Sequence, residues 1–171
     1  MMTYGSNKIL RLLIYVLLCS AGMSACKQID VYEKTTTIPQ YKWDRSFPAT
    51  GTFTISDTNT TYNIYIVMRH TDSYNYNNIW LNVGLQSPGD TMYFQKVEMQ
   101  LADDQHGWEG TGMNDIWEVR KLVNGQAKRF IRNGEYHFSI SQIMRDNPLP
   151  GIMNVGLRVE AAHTTNNFNS R

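Results

Sequence analysis

The chain is predicted to be all-β, an antiparallel β-sandwich of jelly-roll or Greek-key-like form with one or two short helical turns, and three observations predict it. Apolar residues recur with period 2 far more often than with period 3.6. Turn signals rich in Gly, Asn, Asp and Pro break the pattern at short intervals, which favours a sandwich over a βαβ fold. The length of 171 residues, with 42% hydrophobic, 12% aromatic and 18% charged side chains, suits one ordinary core. The formal net charge is only +1. A phosphate-binding surface needs a clear surplus of Lys and Arg, so nucleic acid is not an expected partner.

In chain order, Lys8 and Arg11 precede the apolar run Leu12 to Cys19, and small residues follow it. This is the layout of a signal peptide over residues 1–25. The run is much shorter than the roughly 20 residues needed to span a bilayer. It ends in Met23-Ser24-Ala25-Cys26, which resembles the bacterial lipobox, with Met standing where Leu is usual. Cys26 is the expected lipidation site, carrying a diacylglycerol and an N-acyl lipid, and no other cofactor and no metal are expected. Cleavage there discards Cys19, Lys8 and Arg11 and leaves residues 26–171 with 14 basic and 15 acidic side chains. Membrane attachment then falls to the acyl chains, where each buried methylene contributes about 0.8 kcal/mol. Residues 26–45 read as a membrane-proximal leader with one edge strand near Val31-Tyr32, residues 46–162 as the sandwich, and residues 163–171 as a flexible tail.

The strands follow from alternation. Tyr62 to Arg69 places Tyr62, Ile64, Ile66 and Met68 on one face and Asn63, Tyr65, Val67 and Arg69 on the other, as in a central strand. Ile79 to Leu85 points four aliphatics inward and Trp80, Asn82 and Gly84 outward. Val97 to Leu101, Tyr136 to Ile140 and Val155 to Glu160 alternate in the same way. Turns are expected at Ser56 to Asn59, Ser87 to Asp90, Asp103 to Gly107, Asn124-Gly125 and Asn133-Gly134. The last predicts a hairpin between Phe130-Ile131 and Tyr136 to Phe138. Helical turns are expected at Asp115 to Val123, with Asn114 as N-cap, and at Ser141 to Arg145.

Chemistry is sparse. The sequence has no Gly-rich phosphate loop, no paired His at metal spacing on a helix and no Gly-x-Ser-x-Gly turn, so no catalytic residue is assigned and the chain is expected not to be an enzyme. Asp103, Asp104 and His106 form the one compact cluster that could hold a cation or act as an acid–base pair, and the plainer reading is a solvated turn. The aromatic side chains admit two uses, packing within the sandwich or stacking on sugar. Tyr74, Tyr76, Trp80 and Trp108 are the expected binding surface, because polar aromatic loops on a rigid scaffold are common contact sites.

Several blocks carry a family resemblance. They are Val31-Tyr32-Glu33-Lys34, Ile38-Pro39 with Trp43, Asp57-Thr58 with Tyr62 to Arg69, and Tyr74 to Leu81. Further on come Leu101-Ala102-Asp103, Gly107-Trp108-Glu109-Gly110-Thr111-Gly112, Gly134 to Phe138 with Gln142 to Arg145, and Leu149 to Glu160. Their order and spacing resemble the GldH gliding-motility lipoproteins of the Bacteroidota. The resemblance implies a lipid-anchored cell-envelope protein that works without catalysis, its partners the membrane and other envelope proteins of a motility or type IX secretion-associated complex. In this phylum surface-exported lipoproteins tend to carry an acidic run after the lipidated Cys. Here the run is Lys27-Gln28-Ile29-Asp30, which points to the periplasmic side of the outer membrane. Asp90-Thr91-Met92 resembles the Asp-Ser/Thr-aliphatic O-glycosylation site of the phylum and marks Thr91. A carbohydrate-binding sandwich that acts on envelope or host glycans is the alternative function.

Overall fold

The computed structural model describes residues 31–162, so the signal peptide, Cys26 and the C-terminal tail lie outside the described residues. The strands are β1 (Val31–Thr37), β2 (Lys42–Trp43), β3 (Ala49–Ile55), β4 (Thr61–Thr71), β5 (Asn78–Gln86), β6 (Tyr93–Gln100) and β7 (Ala102–Asp103). They continue as β8 (Gly107–Trp108), β9 (Thr111–Met113), β10 (Ile116–Leu122), β11 (Lys128–Arg129), β12 (Gly134–Gln142), β13 (Leu149–Pro150) and β14 (Ile152–Ala161). One sheet has the order β1-β14-β4-β10-β9, with β11 also pairing on β4, and the other has the order β3-β12-β5-β6. All described pairings are antiparallel. Numbered one to eight, the long strands β1, β3, β4, β5, β6, β10, β12 and β14 lie as 1-8-3-6 and 2-7-4-5. That is the jelly-roll arrangement of two packed sheets.

Alternation explains the core. In β4 the inward set Tyr62, Ile64, Ile66 and Met68 is buried and continues to His70, while β14 and β10 flank the strand on its two edges. In β5, Ile79, Leu81 and Val83 are buried and Trp80 faces out. An aromatic cluster joins the sheets at one end. Phe53 of β3 stacks on Tyr136 of β12 at 5.5 Å between ring centroids, and Phe130 meets Tyr136 at 4.8 Å and Tyr62 of β4 at 5.6 Å. Tyr32 of β1 packs on Phe53 at 5.7 Å. Such ring pairs contribute roughly 0.5–1.5 kcal/mol each beyond area burial.

The structure departs from the sequence expectations in four places. Residues 116–122 are strand β10, not a helical turn: the segment pairs along its length with β4, supplying that strand's second partner, with Val119 buried and Ile116 and Arg120 exposed. Asn114, with φ of 55°, lies in the turn between β9 and β10, whereas an N-cap needs extended backbone. Ser141 and Gln142 end β12 and no helix follows them; the short turns of 3-10 type are instead at Val123–Gly125 and at Pro39–Tyr41, where Gln40 and Tyr41 have positive φ and so leave helical backbone. Gly134 opens β12 and the chain bends at Ile131-Arg132, and the strands on either side pair in different sheets, β11 with β4 and β12 with β3 and β5, so there is no hairpin and the chain crosses the sandwich there. The predicted edge strand at Val31-Tyr32 does form. It pairs along its whole length with β14, so the sandwich begins at Val31 and not at residue 46.

Gly156 is what lets β1 dock. A Cβ on it would lie 2.0 Å from the Lys34 carbonyl oxygen and 2.6 Å from the Thr35 Cα, both backbone atoms that cannot swing aside. Gly156→Ala is therefore expected to destabilise the fold by about 1–3 kcal/mol, as overpacking does. It should raise amide exchange across residues 31–37 first, which thermal unfolding and hydrogen-exchange mass spectrometry would measure.

Candidate functional site beside the β4–β5 connection

Tyr74, Tyr76, Trp80 and Trp108 come from the β4–β5 connection, β5 and β8, and the structure gives them different environments. Tyr74 is 3% exposed, its hydroxyl donates to the Asn78 carbonyl at 2.9 Å, and burial pushes its phenol pKa well up. Tyr76 is half-buried and edge-on to Tyr74 at 5.7 Å. Its hydroxyl donates to Asp146 at 2.7 Å, a bond that raises the phenol pKa. Trp108 is half-buried, 4.6 Å from the His70 ring and 6.3 Å from Tyr74. Trp80 alone of the four is exposed, at 40% on the outward face of β5. Its backbone is fixed: its carbonyl accepts from the Ile143 N–H at 2.9 Å and its N–H donates to the Met144 sulfur at 3.2 Å.

The loop beside Trp80 is organised by Gln142, which strand alternation alone did not single out. Gln142 is fully buried; its amide nitrogen donates to the Asp146 carbonyl at 3.1 Å and to Asn147 Oδ1 at 3.2 Å, and its oxygen accepts from the Met144 N–H at 2.8 Å. Arg45 reaches in from the β2–β3 loop, its guanidinium donating to the Met144 carbonyl at 2.6 Å and its N–H to Asn147 Oδ1 at 2.7 Å. A buried amide with these partners holds an irregular loop in one conformation.

The acidic turn is occupied by its own backbone. Asp103 Oδ1 accepts from the N–H groups of Gln105 and His106, both at 2.7 Å, and lies 3.0 Å from His106 Nδ1, and these bonds hold its carboxyl below the usual range. Asp103, Asp104 and His106 are all exposed, and no group of three metal-ligating side chains occurs among the described residues. Thr91 is exposed in the β5–β6 turn, next to Asp90, which pairs with Arg132 at 2.8 Å. A cavity of about 310 Å³ opens between the sheets near β6 and β11, with Ile64, Val83, Val123, Phe138 and Leu157 as its apolar wall and Tyr93 and Lys128 among its other lining residues. It brings together no acid–base pair.

The outward face of the β1-β14-β4-β10 sheet carries a continuous ion-pair lattice. Arg158 bonds Glu33 at 2.9 Å and Glu160 at 2.6 Å, Arg120 bonds Glu118 at 2.8 Å and approaches Glu33 at 3.7 Å, and Arg69 bonds Glu118 at 2.6 Å. Three cations meet three carboxylates, so this face satisfies its own charge. Val67, in the same row as Arg120 and Gly156, is only 2% exposed there.

His70 is a second titratable group that this packing constrains. It is fully buried, Nδ1 lies 3.0 Å from the Thr71 carbonyl as donor, and Nε2 has no partner among the described residues. Burial lowers its pKa below the ordinary 6.5, and the Thr71 bond and the Asp72 charge only partly oppose this. Between the folded and unfolded pKa values the unfolded chain binds more protons, so His70 favours folding above pH 6.5 and that contribution is lost as pH falls below it. A denaturant series from pH 7.5 to 5 should show stability falling in the wild type, with a shallower fall in His70→Phe.

Among solved structures, the VP2 subviral particle of infectious bursal disease virus aligns over 82% of this chain and 35% of its own at a TM-score of 0.33 and 14% identity. Among sequences, the chain is 27% identical over 144 residues to a gliding motility lipoprotein GldH homolog of Christiangramia forsetii, covering 80% of this chain and 87% of the relative. It is 26% identical over 152 residues to the gliding motility lipoprotein GldH of Flavobacterium johnsoniae, covering 85% and 93% respectively. The family model described as GldH lipoprotein matches residues 30–159, which takes in every strand from β1 to β13 and all but the end of β14. The chain belongs to the GldH family of gliding-motility lipoproteins.

Proposed function

We propose that this lipoprotein acts without catalysis, through protein contacts in a gliding or type IX secretion-associated assembly. Lipid on Cys26 tethers it to the outer membrane, facing the periplasm. Membership of a gliding-motility lipoprotein family supports the setting. The observation that carries the contact role is Trp80: a large aromatic at 40% exposure on a rigid strand, braced by Met144 and the Gln142-held loop. Exposed Trp on a fixed scaffold is the residue type that dominates binding energy at protein interfaces. Tyr74, Tyr76 and Trp108 pack on one another or on His70, so their rings are held in place. Thr91, exposed in its turn, is the proposed O-glycosylation site.

A second reading, sugar stacking on the Trp80 ring, is favoured by the polar residues around it. Glu98 lies directly across from Trp80, and Asn82 and Lys96 form the next outward pair. The two readings separate by experiment. Wild-type lipoprotein and Trp80→Ala are purified from their own envelope and the bound proteins identified by mass spectrometry. Loss of an exposed side chain should shift stability by less than about 1 kcal/mol, while recovery of specific partners should drop at least several-fold. Unchanged recovery would remove Trp80 from the contact, a glycan-array signal lost in Trp80→Ala would favour the sugar reading, and an unlipidated wild-type N-terminus would refute the Cys26 anchor.

A further inference from the structure

β6 is the terminal strand of its sheet among the described residues. One edge pairs with β5 over residues 93–100, and no described strand lies on the other. The strand is eight residues long, and Tyr93 and Phe94 are 74% and 47% exposed. Proteins usually guard such an edge, often with a lysine, because its free N–H and C=O groups template pairing with another chain. Lys96 holds that guarding position, but Glu98 lies two residues further on the same outward face. Glu98 accepts from the Asn78 amide at 2.6 Å through Oε1.

We propose that β6 pairs antiparallel with β6 of a second copy of this chain, about a two-fold axis at Val97, so that two four-stranded sheets join into one. The charge pattern selects this register. With the axis at Val97, Lys96 stands opposite Glu98 of the second copy and Glu98 opposite its Lys96, two cross-strand ion pairs made by one symmetry operation. Val97 then faces Val97 and the exposed Phe94 faces Gln100. Moving the axis to Lys96 or to Glu98 sets like charges directly against each other, which destabilises the pair. A one-residue slip sets outward side chains against inward ones. Strand-edge pairing buries less than the roughly 1,000 Å² of a standing interface, so the association is reversible. It uses the edge of β6 on which no described strand pairs and not the Trp80 ring, and it stands or falls apart from the envelope contact proposed above.

Cysteine cross-linking of the full chain in its producing cell tests both pairing and register. Val97→Cys should give a disulfide-linked dimer on mild oxidation, since residues directly opposite in an antiparallel pair have Cα atoms about 4.5–5.5 Å apart, within disulfide reach. Gln95→Cys and Lys96→Cys should not, because their symmetry mates are displaced along the strand. Adding Lys96→Glu to Val97→Cys should cut the cross-linked fraction about tenfold, and adding Lys96→Glu with Glu98→Lys should restore it. Cross-linking equal at positions 95, 96 and 97, or unaffected by Lys96→Glu, or absent at Val97→Cys in a folded chain, would overturn the proposal. Should Val97→Cys fail to fold, light scattering of the wild-type chain in detergent micelles decides. A concentration-dependent dimer lost in Lys96→Glu supports the pairing, and a monomer at all concentrations refutes it.

Discussion

The constraint on which the rest of the fold depends is the nesting of its strand pairs. β5 and β6 are joined by the short turn that follows Gln86. Outside them lie β4 with β10, then β3 with β12, then β1 with β14. The chain is in effect one long antiparallel hairpin rolled up, and two further pairings, β14 on β4 and β12 on β5, close the roll into two sheets. The outermost pair joins Val31 to Glu160, a loop that is costly to close from an open chain but much less so once the inner pairs have shortened it. Because the side-chain period is 2, each register in the nest also decides which residues of the next strand reach the core.

Two features make the nest hold as layers. The aromatic cluster of Tyr32, Phe53, Tyr62, Phe130 and Tyr136 draws on strands of both sheets and on the segment that crosses between them. Phe130 lies just before the bend at Ile131-Arg132 and touches Phe53, Tyr62 and Tyr136, which pins the crossing against both sheets. Gly156 lets the last pair close, since any side chain there would occupy the backbone of β1.

How much of this could be read in advance varied with how local the cause is. Burial alternation in β4, β5, β12 and β14 is written in single strands, and each strand was legible from its own residues. β10 was not, since Asp115 to Val123 reads equally as a capped helical turn and becomes a strand only because β4 has an open edge beside it. Asn133-Gly134 misled for the same reason: a local turn signal says nothing about which sheet receives the next strand. His70 was within reach, being the next inward position after Met68, whereas Gln142 took its meaning from loop 143–148, which folds around it. Trp80 was readable as outward-facing from period 2 alone. That its exposed ring stands on a fixed backbone depended on Met144 and Ile143, distant in sequence.

The two outer faces of the sandwich answer the same problem differently. On the β1-β14-β4-β10 sheet every large charge is matched within the face, Glu33 bridging Arg158 and Arg120 and Glu118 bridging Arg120 and Arg69. Each pair is at least partly exposed and contributes little alone, but the lattice leaves few groups for a partner to satisfy. On the β3-β12-β5-β6 sheet the corresponding rows hold Thr50, Thr52, Ser139, Asn82 and Trp80 and a contact of His137 with Glu135 at 3.3 Å, with Lys96 and Glu98 on an edge that no described strand pairs. There the exposed Trp80 ring and the outer edge of β6 share one sheet, and fewer ion pairs cover it. An incoming surface gains most where desolvation breaks the fewest pairs already made, and the contact proposed through Trp80 uses the sheet with fewer of them.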